Sequence, residues 1–158
     1  MATDYIETSI IGYLTARSAS DVVFQARQLL TRQWWDDRRK TYDLLVSQLV
    51  IDEVSAGDEV AGQERLQLVD GIPLLDAFQP AVEALSDLLI DKHLLPPKAK
   101  TDSQHVAVAK VFGVDYLLTW NCRHIANAER LPRIYSTLRD EGYEPPLVVT
   151  PEEFSNYE

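Results

Sequence analysis

Along this chain, short apolar runs that suit buried strands alternate with longer stretches whose apolar residues recur at helical spacing. Residues 3–8 form the first short run, and Thr8 or Ser9 offers a cap for a helix reaching about Arg17. Residues 20–38 place Val23, Ala26, Leu30 and Trp34 on one face, which predicts a long amphipathic helix. A second strand is expected over 43–46, followed at once by helices over 47–57 and 58–70, the latter stopping at Gly71. IPLLDAF, residues 72–78, reads as a third strand. Residues 80–93 read as a helix with Val82, Leu85 and Leu89 on one side. After the turn-rich LPPKAK, Thr101 caps a helix over 101–112, with Gln104 completing a capping box. Gly113 ends that helix and a strand over 115–119 follows. A helix over 123–141, broken near Pro132, precedes PLVVTPEEF, which supplies a last short strand and an exposed end.

Alternating strands and helices imply an α/β fold with a central parallel sheet and helices on both faces. In such sheets ligands bind outside the carboxyl ends of the strands, where strand order reverses. Oxygen-bearing side chains fall at these places. Glu7 ends the first run, Asn121 ends DYLLTWN, and Glu53 and Asp102 lie in the first turns of helices. A few carboxylates and an amide suit Mg²⁺ or Mn²⁺, which prefer oxygen ligands and keep several waters. A metal held there acidifies a water and stabilises a phosphodiester leaving oxygen.

Each residue also has a plainer reading. Glu7, Glu53 and Asp102 near helix starts complement the helix macrodipole. Asn121 suits a turn. His105, one helical turn after Asp102, suits a packed helix histidine as well as a group that orients a ligand. Arg17, Arg123 and His124 are candidate RNA contacts near the mouth of such a site, or ordinary surface residues. Trp120 could stack on a base or be buried at the strand end. A receiver-type phosphoacceptor domain also places acids at strand ends, but Asp76 stands inside its run and not at the end.

With 158 residues, 46% hydrophobic and 25% charged, the chain reads as a single soluble domain over 1–158. No apolar stretch approaches the ~20 residues that span a bilayer, and the N-terminal residues lack a basic signal segment. Cys122 is the only cysteine, which suits a reducing, cytoplasmic setting. The formal net charge of −10 argues against general nucleic-acid binding and suits a basic protein partner. Adjacent Trp34 and Trp35 cannot both face one core on a single helix face, so one is expected to seek a second copy of the chain.

The segments YIETSIIGYL, LVSQLVIDEV, TDSQHVAVAKVFGVDYLLTWN and PEEF resemble a PIN domain, and within that group the VapC toxin–antitoxin ribonucleases. The resemblance runs over nearly the whole chain, and the pairing of TDSQHVAVA with GVDYLLTWN is its most specific part. It implies a Rossmann-like three-layer fold and a Mg²⁺- or Mn²⁺-dependent endoribonuclease. It also implies a homodimer and a cognate antitoxin. The family's acidic positions fall on Glu7, Glu53, Asp102 and Asn121. Two of these depart from the family: Glu7 stands where many members have Asp, and Asn121 replaces a frequent Asp. The lost charge at Asn121 weakens a cation site. These departures motivate an alternative, a catalytically weakened PIN scaffold that binds RNA or protein.

Overall fold

The first apolar run is a strand, β1 (Thr3–Ile6), and it lies at the centre of a five-stranded sheet. The computed structural model describes residues 1–142 and 144–154. Its other strands are β2 (Asp43–Ser47), β3 (Leu74–Leu75), β4 (Tyr116–Leu118) and β5 (Leu147–Val149). All pairings are parallel, in the order β3-β2-β1-β4-β5. Among the described residues seven α-helices flank the sheet: α1 (Thr8–Thr15), α2 (Val22–Asp37), α3 (Gln48–Ser55), α4 (Glu59–Val69), α5 (Pro80–Asp91), α6 (Lys100–Val111) and α7 (Leu131–Asp140). No helix of the described residues is long and apolar enough to cross a membrane.

The chain progresses outward from β1 to β3 on one side and from β4 to β5 on the other, so strand order reverses between β1 and β4. Ile6 lies opposite Leu118 there, and the Glu7 N–H donates to the Leu118 carbonyl at 3.1 Å. The α/β architecture expected from alternation is therefore present. It brings the residue after β1 and those after β4 to one reversal point, where such sheets bind ligands. Apolar residues of both strands meet the helices: Ile6, Leu117 and Leu118 are fully buried with Ile10, Ile11, Leu89 and Ile134. Burying each such side chain is worth about 1.5–3 kcal/mol, which is what holds the reversal point rigid.

Several local expectations are corrected. Glu7 itself, not Thr8 or Ser9, caps α1: it is extended and its carboxylate accepts the Ser9 N–H. The inward face of α2 is Gln28, Thr31, Trp34 and Trp35, while Val23 and Ala26 are exposed. Polar anchoring sets that face, because Gln28 Nε2 donates to the carbonyls of Tyr13 and Ala16 past the end of α1. Both tryptophans are buried in their own chain, at 2% and 7% exposure. Arg39 covers Trp35 at 4.6 Å from its ring centre, so the argument for a dimer on that helix loses its premise.

IPLLDAF yields only Leu74–Leu75 as strand, since Asp76 Oδ1 accepts the Phe78 N–H and turns the chain. Thr101 does not cap α6. The 3₁₀ turn Pro97–Ala99 runs directly into a helix that begins at Lys100, with no side-chain cap. The helix expected over 123–141 starts only at Leu131, with Pro132 in its first turn where a missing N–H costs nothing. Phe154 is no exposed end: it packs against Trp34, Tyr42 and Tyr116 with ring centres 6.3, 5.2 and 4.8 Å away.

Candidate active site

Glu7 follows β1 and is buried, with Oε2 accepting the Ser9 N–H at 2.8 Å, the Ser9 hydroxyl at 2.5 Å and the Thr119 hydroxyl at 3.0 Å. These donors come from both sides of the strand reversal, so the fold fixes one carboxylate oxygen and leaves Oε1 without a hydrogen-bond partner among the described residues. The start of α1 adds its unpaired N–H groups and favourable dipole.

Glu53 projects from α3 and its Oε1 accepts from the Thr8 hydroxyl at 2.8 Å and from His105 Nε2 at 2.6 Å. Burial alone would raise the Glu53 carboxyl, but these hydrogen bonds and the histidine's charge hold it below the usual carboxylate range. His105 is fully buried on α6, and its Nδ1 lies 2.8 Å from the Tyr5 hydroxyl, itself 2.7 Å from Ser47 Oγ. Desolvation pushes the His105 imidazole down. The Glu53 hydrogen bond and the fields of Glu7, Glu53 and Asp102 outweigh it, so the net shift is upward. All three acids therefore bear on one buried imidazole.

Asp102, in the first turn of α6, pairs through Oδ2 with His124 Nδ1 at 2.9 Å. Asn121 supplies its Oδ1 to the His124 N–H at 3.0 Å, while its own N–H donates to Thr119 Oγ1 at 2.9 Å. Asn121 thus folds the segment after β4 so that His124 reaches Asp102.

Hard oxygen donors fit a divalent cation, and each acid retains one oxygen without a hydrogen-bond partner among the described residues: Glu7 Oε1, Glu53 Oε2 and Asp102 Oδ1. Spacing is another matter. Among the described residues no group of three or more His, Cys, Asp or Glu side chains stands close enough to hold a metal ion. In this arrangement Glu53 and Asp102 are each hydrogen-bonded to a histidine.

The architecture has a solved counterpart. The crystal structure of Mycobacterium tuberculosis VapC20, a Sarcin-Ricin loop cleaving toxin, matches with a TM-score of 0.58 and 13% identity over 79% of this chain and 95% of that one. The fold of this chain is similar to that of VapC20. No protein-family model and no curated protein matches the chain.

On this scaffold the four residues expected at the site divide into three hydrogen-bonded groups around the strand reversal. Glu7 lies with Ser9 and Thr119, Glu53 with Thr8 and His105, and Asp102 with His124 and Asn121. Of the expected RNA contacts, His124 is half-buried against Asp102, whereas Arg17 and Arg123 are exposed and bond to none of the acids. Tyr5, Ser47 and Thr119 went unassigned in the sequence, and Thr8 and Ser9 were read only as helix caps. Their signal was a hydroxyl inside or just after an apolar run, where a buried polar group must find a partner.

Proposed function

We propose that this chain is a metal-dependent ribonuclease of the PIN type, acting on RNA as the toxin of a toxin–antitoxin pair. The observation that supports this reading is the placing of Glu7, Glu53 and Asp102 on elements around the strand reversal, each with one oxygen free of hydrogen bonds among the described residues, in a fold similar to that of a Sarcin-Ricin loop cleaving toxin. Glu7 Oε1, Glu53 Oε2 and Asp102 Oδ1 would hold Mg²⁺ or Mn²⁺, with Asn121 as an additional amide oxygen. A bound ion would supply an acidified water and stabilise charge on the phosphoryl group under attack. The protein's own part is to fix Glu7 through Ser9 and Thr119, Glu53 through His105 and Thr8, and Asp102 through His124. Arg17, Arg123 and the outer nitrogen of His124 would meet RNA phosphates. A homodimer and a basic antitoxin belong to this proposal, the latter suited to a formal charge of −10.

The test is cleavage of RNA by the antitoxin-free protein in Mn²⁺, against Asp102→Asn. This near-isosteric change removes a unit charge and leaves the start of α6 intact. Cleavage that depends on metal and is lost in the variant is expected; equal cleavage by both assigns the activity to a contaminant. One observation favours the second reading, a scaffold that binds RNA or protein without cutting: Glu53 and Asp102 are already paired with histidines, and no three acids stand at metal-binding spacing. Absence of cleavage together with tight RNA binding would select it.

A further inference from the structure

Beyond the carboxylates, the site contains a line of polar groups that an apolar core does not need. Ser47, Tyr5 and His105 are all fully buried and come from β2, β1 and α6. Their contacts run Ser47 Oγ to Tyr5 hydroxyl at 2.7 Å, Tyr5 to His105 Nδ1 at 2.8 Å, and His105 Nε2 to Glu53 Oε1 at 2.6 Å. Apolar residues of the same shape would hold this core equally well, because buried hydrogen bonds add little net stability. The line has one end that reaches solvent, the Glu53 carboxylate, whose side chain is 38% exposed.

We propose that His105 is a positioning residue, which with Tyr5 and Ser47 behind it fixes Glu53 Oε1 so that Oε2 alone is presented for the reaction; this rests on the nuclease reading above. The line is satisfied whichever way its protons run. With a neutral ring, Nε2–H donates to Glu53, Nδ1 accepts from Tyr5, and Tyr5 accepts from Ser47. With both ring nitrogens protonated, Nδ1 donates to Tyr5 and Tyr5 donates to Ser47. Glu53 is therefore held in either state. Thr8 grips the same oxygen at 2.8 Å, so two donors prevent the carboxylate from rotating.

Crystal structures and RNA cleavage by the full chain carrying His105→Leu, His105→Gln or Tyr5→Phe test this. In His105→Leu the Glu53 carboxylate is expected to leave its wild-type position. A misplacement of about 1 Å lowers rate on the order of a hundredfold, so kcat should fall by roughly ten- to a hundredfold. KM for RNA should stay within about twofold, since uniform substrate binding is untouched. His105→Gln, whose side-chain amide can donate to Glu53, should recover part of kcat and of the carboxylate position. Tyr5→Phe should fall between it and wild type. A merely structural histidine predicts similar loss of thermal stability in both His105 variants, without rescue of kcat by Gln. Wild-type placement of Glu53 in His105→Leu would overturn the proposal. Should the wild-type protein cleave no RNA, the nuclease reading fails, and the Glu53 coordinates still decide whether His105 positions it.

Discussion

Asp4 lies in the middle of the sheet, opposite Leu44 on one side and Tyr116 on the other, fully buried and with neither carboxylate oxygen hydrogen-bonded among the described residues. Burial pushes its carboxyl well above the usual range, so the fold favours the neutral acid. The folded pKa exceeds the unfolded one. Full stability is therefore present below about pH 4 and is lost as pH rises toward the folded value. Asp4→Val should accordingly melt higher than wild type at pH 7, with the advantage shrinking toward pH 4. An unsatisfied buried polar group costs about 1–3 kcal/mol, which sets the size of the gain. Thermal unfolding at both pH values measures it, and no difference between variant and wild type at pH 7 would mean the carboxylate has found a partner. Asn121 offers a second residue-scale test. An Asp there can still accept the His124 N–H that Asn121 Oδ1 accepts now. Asn121→Asp should keep the turn and tighten Mn²⁺ binding, read from free Mn²⁺ by electron paramagnetic resonance. Unchanged affinity would leave Asn121 a turn residue only.

The end of α5 is a place where the chain accepts strain. His93 has φ 58° just beyond that helix, and the Leu94 N–H reaches back to the Leu89 carbonyl at 3.0 Å. Glycine adopts this left-handed conformation freely, whereas a side chain there costs roughly 1–2 kcal/mol. His93 is exposed. His93→Gly should therefore raise the denaturation midpoint by an amount equivalent to about 1 kcal/mol or slightly less, with an unchanged denaturant slope. A lower midpoint would show that the histidine makes a contact. Element boundaries were legible where period and punctuation agreed. Helix α5 has Val82, Leu85 and Leu89 buried as read, and Gly71 and Gly113 end their segments with positive φ. The inward face of α2 was legible only in Leu30 and Trp34, because Gln28 and Thr31 are placed by specific partners rather than by hydrophobicity. The Trp120 indole donates to Thr31 Oγ1 at 2.7 Å, so a polar residue occupies the position that periodicity assigns to an apolar one. Glu7 and Asp102 could be placed at a strand end and a helix start from pattern alone. Glu53, expected in the first turn of its helix, lies in the last turn of α3, because that helix already begins at Gln48. The line from Ser47 to Glu53 could not be placed so, because hydrogen-bond partners 42, 100 and 52 residues apart leave no local trace.

At the scale of the whole molecule, charge limits how the proposed nuclease can engage RNA. A formal charge of −10 repels a polyanion, and the neighbourhood of the site adds Glu7, Glu53 and Asp102. Attraction must come from local basic groups, of which Arg17, Arg123 and, when protonated, His124 are the proposed set. Neutralising phosphates releases counterions, and on single-stranded nucleic acid each contact contributes ~0.7 to the steepness of the salt dependence. Three contacts would give a slope of about −2 in log(kcat/KM) against log[salt]. Screening of the overall repulsion works in the opposite direction, since added salt weakens it beyond a Debye length of about 10 Å at 0.1 M. The expected slope is therefore shallower than about −2, measured as cleavage of one RNA from low to physiological salt at fixed Mn²⁺. Arg123→Gln should flatten it further and raise KM with little change in kcat, because that side chain touches none of the acids. A slope well steeper than −2 in the wild-type protein would mean that RNA is held by a basic surface away from the strand reversal, and would detach the proposed RNA contacts from the reaction.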